Sequence, residues 1–230
     1  PRLVRFSTLI IGRMKASLAQ VNIVASMFFG GITGSAVADT SSIGGMLIPA
    51  MIEEGYDADF SVAVTAASSI IGPIIPPSIV MVVYGSTVGT SIGAMFLGGF
   101  VPGILIGLAL MLVVVLMGRK RDFPRRTEKI GKREAVKIIL DAIFPLGMPI
   151  IILGGILSGI FTPTEAGAVS ALYSLVVGAA ITNNRIFKEI PRMLLKTVKT
   201  SASILFIMGT AMIISRIFAY LGVQRGIAQF

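Results

Sequence analysis

Two stretches of this 230-residue sequence place polar or helix-breaking residues inside long apolar runs. The first is Gly30-Gly31-Ile32-Thr33-Gly34-Ser35-Ala36-Val37-Ala38-Asp39-Thr40, within the apolar segment 18–52. The second is Ser68-Ser69-Ile70-Ile71-Gly72-Pro73-Ile74-Ile75-Pro76-Pro77-Ser78, in the middle of the run 60–84. Pro73, Pro76 and Pro77 remove three backbone donors and clash with the preceding turn, so no continuous helix passes through the second stretch. A helix broken in lipid leaves carbonyls without partners. Such carbonyls bind cations, and the N–H groups at half-helix starts bind anionic solutes. Both stretches therefore offer binding chemistry rather than bond-making chemistry.

The residue types exclude most catalysis. The sequence has no cysteine and no histidine. Thiol nucleophiles, disulfides, Ser–His pairs and the usual zinc and haem ligands are absent. An aspartyl mechanism needs two carboxylates at membrane depth, and Asp39 alone qualifies. No Walker A pattern is present, so ATP drive is not encoded here. The chain is read as not an enzyme and as having no cofactor.

Ser35 combines a hydroxyl acceptor with neighbouring glycines that allow close backbone approach. It is the leading cation-ligand candidate in the first stretch. Asp39 has two readings, a cation ligand or a cap on free N–H groups at a hairpin turn. The break at Gly72-Pro73 and Pro76-Pro77 is an ion or solute site, or a kink satisfied by a neighbouring helix. Phe161-Thr162-Pro163-Thr164-Glu165 carries a capping box, with Thr162 as N-cap, Pro163 first in the helix and Glu165 third. Its alternative role is contact with a partner or gate.

The elements that must position these residues are membrane helices. Hydrophobic residues make up 54% of the chain and charged residues 13%, against about 25% charged in an ordinary soluble domain. The mean hydropathy is +0.90. The net charge of +9 is concentrated: Arg2 to Lys15, Arg119 to Lys137 and Arg185 to Lys199 hold 18 of the 20 Lys and Arg. Residues 60–118 have no charged side chain, and 142–184 have Glu165 alone. Basic clusters punctuating uncharged runs are the positive-inside pattern of a polytopic membrane protein. A nucleic-acid binder would need a basic face on a polar folded domain, so no nucleic-acid partner is expected. Met14 to Ser17 and Arg185 to Leu195 mix basic and apolar residues, as expected of segments lying on lipid.

Segments 60–84, 92–118, 140–160, 164–183 and 198–220 are long and apolar enough for spans of about 20 residues. If all three basic zones face the cytoplasm, the second and third are separated by two crossings, which is consistent. The first and second are separated by 18–52, 60–84 and 92–118, which would be one crossing too many. The conflict disappears if 18–52 enters and returns as a re-entrant hairpin. Its polar tip then faces a site, because irregular backbone at membrane depth must be buried or line a cavity.

The stretches GGITGSAVADTSSIGGMLIPAMIEEGYD, TAASSIIGPIIPPSIVMVVYG, SIGAMFLGGFVPGILIGLALM and ILGGILSGIFTPTEAGAVSALY resemble, in collinear order, the large DctM-like membrane subunit of tripartite ATP-independent periplasmic (TRAP) transporters. The resemblance implies sodium-coupled import of an organic acid of C4-dicarboxylate, keto-acid or sialic-acid type across the bacterial inner membrane. It implies two partners, a small DctQ-like membrane subunit and a soluble periplasmic binding protein. It implies an all-α, elevator-type fold in which a re-entrant hairpin and a broken helix belong to a moving transport domain. No second Gly-Pro…Pro-Pro break occurs downstream, so this is one half of an inverted repeat and an internal fragment of a longer protein. A similar sodium-coupled carboxylate transporter, or a passive channel or scaffold subunit, is the competing reading.

On this basis residues 1–17 are an interfacial arm, 18–55 the re-entrant hairpin and 56–90 the broken helix. Residues 91–118 are a transmembrane helix and 119–137 a basic cytoplasmic loop. Residues 138–183 are two scaffold helices. Residues 184–230 comprise an amphipathic segment, a further span and the start of a second arm. Sodium is expected between Ser35 and the unwound stretch 68–76, with Ser68, Gly72, Ile75 and Asp39 completing its oxygen ligands. The organic acid is expected at Thr33, Gly34, Ser35, Pro76, Pro77 and Ser78. No Lys or Arg lies between positions 16 and 118 to receive it, so its attraction is to half-helix N–H groups. The hydroxyls of Thr33 and Ser78 either bind the acid or cap their own helices. A bulky residue at Gly34 is expected to fill the anion space.

Overall fold

The computed structural model describes residues 2–11, 14, 16–120, 123, 131–182 and 186–222. Arg13, Lys15, Arg125 and much of the basic loop 119–137 lie outside the described residues. Every regular element among those described is helical: α1 (Arg2–Ile11), α2 (Ser17–Thr33), α3 (Ala36–Asp39), a π-helical turn (Thr40–Gly44), α4 (Gly45–Glu53), α5 (Ala58–Ser69), α6 (Ile79–Val88), α7 (Ile92–Lys120), α8 (Lys132–Leu157), α9 (Pro163–Thr182) and α10 (Ile186–Tyr220). The chain forms two units, Pro1–Ser174 and Leu175–Phe230, with the boundary inside α9.

Among the described residues four helices are long and apolar enough to cross a membrane: Ile92–Gly118, Arg133–Leu157, Pro163–Ile181 and Ile186–Tyr220. The chain is an all-α polytopic membrane protein. The run 60–84 is split as its prolines require. Helix α5 ends at Ser69, α6 begins at Ile79, and the residues between are non-helical. Ser78 caps α6, accepting the Met81 N–H at 3.3 Å. Ahead of α9, the Glu165 carboxylate accepts from the Thr162 N–H at 2.8 Å, and Thr162 Oγ1 accepts the Glu165 N–H at 3.3 Å. The capping box thus performs the structural role read from its spacing.

The core of the first unit is built around α2. Leu18, Ala19 and Ile23 pack with Met51, Tyr56, Phe60, Val64, Ile71, Ile75, Val114 and Phe123. On another side of α2, Val21 and Ala25 meet Ile43 and Leu47. Helix α2 and the returning α3–α4 segment lie side by side, forming a helical hairpin. At 17 residues α2 is roughly 26 Å long, short of the roughly 30 Å hydrocarbon core.

Three boundaries differ from the sequence reading. The hairpin turn is narrower than Gly30–Thr40: α2 continues through Thr33 and ends on Gly34, at φ 59°, whose N–H bonds Gly30 O at 2.8 Å. Gly30 and Gly31 stay helical because they supply close approach instead of a turn. Helix α1 packs against α2 and α8 and buries Leu3, Ser7 and Ile11, one face at spacing of four, so this part of the 1–17 arm rests on protein. Residues 186–220 form one helix instead of an amphipathic segment and a separate span, because Pro191 near its start is the only proline in it.

Candidate binding site

The hairpin tip and the helix break meet through glycines. A Cβ on Gly30 would come within 2.7 Å of the Gly72 Cα. One on Gly34 would stand 2.5 Å from Pro77 O and 2.9 Å from Ile79 N. The Gly34 carbonyl accepts the Ile79 N–H at 3.4 Å. A Cβ on Gly72 would lie 3.4 Å from the Ser35 carbonyl oxygen and 3.2 Å from Ser69 O. Helix α2, the start of α3 and the break are therefore in backbone contact, which any larger residue at these positions would prevent.

Next to this junction is a buried polar chain between α2 and α5. Asn22, Ser26, Thr65 and Ser68 are each 0% exposed. The Ser26 hydroxyl donates to Ser68 Oγ at 3.1 Å, and the Ser68 hydroxyl to Asn22 Oδ1 at 3.1 Å. The Asn22 amide donates to Thr65 Oγ1 at 2.7 Å, and Thr65 to Ser61 O at 2.8 Å. Ser69 donates to Thr65 O at 2.8 Å. Ser26 and Ser69, at the ends of this chain, also adjoin Asp39.

The Asp39 carboxylate is also fully buried, and neither oxygen receives a hydrogen bond. The hydroxyls of Ser26 and Ser69 stand beside it, within hydrogen-bond distance of Ser68 Oγ and Thr65 O as well. The group is a carboxyl beside two hydroxyls, an oxygen-rich site closed off from solvent. Burying an unpaired carboxylate costs several kcal/mol even after relaxation. The backbone opens into a π-helical turn immediately after Asp39, a feature that recurs at functional sites.

The expected cation ligands thus separate into two neighbouring groups. Ser35 and Gly72 meet at the tip through backbone, while Asp39 and Ser68 belong with the polar chain. The Ser35 hydroxyl caps α3, accepting the Ala38 N–H at 3.4 Å. The side chain of Ile75 is wedged between Gly31 and Gly103.

The expected substrate residues Thr33, Gly34, Ser35, Pro76, Pro77 and Ser78 do come together at the tip and the break. Two of their hydroxyl protons are engaged locally: Thr33 donates to Phe29 O at 3.3 Å and Ser78 to Pro73 O at 2.6 Å. Of the α6 first-turn donors, Ile79 N–H is taken by Gly34 and Met81 N–H by Ser78. The direction of a Gly34 side chain is filled by the backbone of the break, so a bulky residue there would strike protein instead of entering open space.

Sequence reading missed Asn22, Ser26, Thr65 and Ser69. The signal was present: Asn22 and Ser26 are four apart, and Ser61, Thr65 and Ser68 follow the same helical spacing. Polar residues repeating on one face inside an apolar run mark a polar helix–helix seam.

A hairpin of short helices locked into a proline-broken span defines a membrane protein with irregular backbone in its interior. The family model of the tripartite ATP-independent periplasmic transporter DctM component matches residues 1–230, and the chain belongs to that family. It is 42% identical over 209 residues to the sialic acid TRAP transporter large permease protein SiaM of Vibrio cholerae, covering 90% of this chain and 49% of the relative. It is 35% identical over 229 residues to the C4-dicarboxylate TRAP transporter large permease protein DctM of Pseudomonas aeruginosa, covering 100% and 53%. It is 34% identical over 212 residues to the 2,3-diketo-L-gulonate TRAP transporter large permease protein YiaN of Escherichia coli, covering 92% and 50%. The chain spans about half the length of these curated relatives. The family is one of transport proteins of the bacterial inner membrane, not of enzymes.

Proposed function

We propose that this chain is the part of a TRAP large permease that carries one cation site and one half of the substrate site, in a sodium-coupled importer of an organic acid. The observation that supports this most is the Asp39 carboxylate, buried without a hydrogen bond beside the Ser26 and Ser69 hydroxyls. Among the described residues no three Asp, Glu, His or Cys side chains gather. One carboxylate with neutral oxygens suits a singly charged hard cation better than a transition metal. Asp39, Ser26 and Ser69 would hold sodium, with Ser68 and Asn22 behind them. A second set of oxygens is available where the Ser35 carbonyl faces Gly72. Bound sodium supplies positive charge that neutralises Asp39 and favours an anion at the adjoining tip.

Sialic acid, C4-dicarboxylates and 2,3-diketo-L-gulonate, named in the relatives' titles, are all carboxylates. These names support an organic acid as the substrate class. The whole transporter would include a small membrane subunit and a periplasmic binding protein as partners.

The test uses the full-length protein and Asp39→Asn. A ligand at 100 times its Kd stabilises by about 2.7 kcal/mol. Sodium, compared with choline, should raise the melting temperature of the native protein. In Asp39→Asn that sodium-dependent rise should disappear, while the sodium-free protein melts no lower, because an amide is less costly to bury than a carboxylate. Uptake in vesicles should saturate and require sodium in the native protein only. An unchanged sodium response in the variant would remove Asp39 from the site.

A further inference from the structure

We infer that Gly99 of α7 is a positioning residue for cation binding, setting the direction of the carbonyls in the helix break. This rests on the sodium reading above.

Gly99, Gly103 and Gly107 are spaced four apart and share one face of α7. A Cβ on Gly107 would meet the flexible side chain of Met27, which can yield. A Cβ on Gly103 would strike the Ile75 side chain and lie 3.4 Å from Ile75 N. Gly99 is different in kind. Its Cβ would lie 2.6 Å from the Ile74 carbonyl oxygen and would also overlap Met81 Cε. A methionine tip can move aside; a backbone oxygen cannot move without rotating its peptide.

That peptide is central to the break. Ile74 N–H and Ile75 N–H both bond Ile71 O, at 3.0 and 2.9 Å. The Pro73 carbonyl accepts the Ser78 hydroxyl at 2.6 Å. Ile74 is thus held at its N–H, and the bare face of α7 meets its carbonyl. Rotating the Ile74 carbonyl away from α7 carries the Ile75 peptide with it and disturbs the Ile71 turn that adjoins Gly72. The Gly72 backbone is in turn seated on Gly30 and on the Ser35 carbonyl. Helix α7 therefore acts on the junction from outside it, by being thin at one position.

The adjacent Gly98 is the internal control, because a Cβ there meets nothing within 4 Å. Sodium titrations of the melting temperature of the purified full-length protein read cation binding without transport. Gly99→Ala should raise the sodium concentration for half-maximal stabilisation by about tenfold, the loss of roughly one charge-assisted oxygen contact from the second set, where the Ser35 carbonyl faces Gly72. Gly98→Ala should leave it within about twofold, as expected of a substitution that touches no structural feature. The double variant Gly99→Ala with Met81→Ala removes the methionine overlap and keeps the carbonyl contact. It should retain the weakened sodium response, and it replaces Gly99→Ala if the single variant does not fold. A native sodium response in folded Gly99→Ala, or in the double variant, overturns the positioning role. If Asp39→Asn also leaves the sodium response native, the sodium reading itself has failed. If Asp39→Asn abolishes the response while Gly99→Ala does not, only the role of Gly99 has.

Discussion

Helix α10 runs for 35 residues without a buried side chain among those described, whereas α2, half as long, buries every residue from Ser17 to Ser26. Phe206 on α10 is 73% exposed, and Asn22 on α2 is 0% exposed. The polar residues of α10 include Lys188, Arg192, Lys196 and Lys199, all exposed along its first half. Those of α2 are uncharged, and Gln20, Asn22 and Ser26 bond to other helices. The difference shows what a membrane chain does with polarity at depth. A continuous helix satisfies its own backbone and needs no neighbour. A broken or short helix must be surrounded, and the surrounding residues must be small or hydrogen-bonding.

Substitutions can break this contrast, and the largest effect belongs at the hairpin tip. Gly34→Leu places a side chain against Pro77 O in a backbone at φ 59°. The left-handed conformation costs about 1–2 kcal/mol for an L residue, and overpacking adds about 1–3 kcal/mol. The full-length variant should melt well below the native protein and import nothing. A native melting curve would show that the tip and the break separate freely. Next comes the polar chain. Asn22→Leu removes the bonds to Ser68 and Thr65 that join α2 to α5 and should cost about 1–3 kcal/mol in thermal unfolding. A neutral result would mean that these hydroxyls find other partners.

The loop between α4 and α5 offers a smaller, pH-dependent test. Burial chiefly pushes the Tyr56 phenol up to about 12, from about 10 when unfolded. Below pH 10 both states keep the proton, and no stability depends on it. Between pH 10 and 12 the unfolded chain ionises first, so the native state loses stability as pH rises. Tyr56→Phe should melt at a higher temperature than the native protein at pH 11 and show less dependence on pH over that range. Equal pH dependence would place the phenol in water. The smallest effect is expected on α10. Phe206→Ala should change the stability of this chain by no more than about 0.5 kcal/mol. A larger loss would show that the exposed face is covered.

Much of this arrangement is legible in the residue order, and the reasons are local. Pro73, Pro76 and Pro77 remove donors wherever they occur, so the division of 60–84 into α5 and α6 needs no tertiary information. The capping box at Thr162 and Glu165 is similarly short-range. Uncharged runs of 20 residues or more give the long spans because bilayer thickness is fixed. The role of Asp39 was not legible. Its capping and ligand readings use the same carboxylate, and only its neighbours distinguish them. The structure puts the Ser26 and Ser69 hydroxyls beside it, and its side chain caps no helix.

Gly30, Gly34 and Gly99 show the same limit from the other side. A glycine in sequence permits a turn, a positive φ or a close contact equally well. Gly34 is at a turn, whereas Gly30 and Gly99 are inside helices and make room for backbone. Sequence alone thus determined that this chain is helical, lies in a membrane and is interrupted at two places, because those properties follow from hydropathy, charge and proline chemistry along the chain. Only the tertiary structure decided that the two interruptions touch, which oxygens face Asp39 and which glycines are there for contact. Those depend on distances between residues from 13 positions apart, as for Ser26 and Asp39, to 43 apart, as for Gly34 and Pro77, and no local rule sets them.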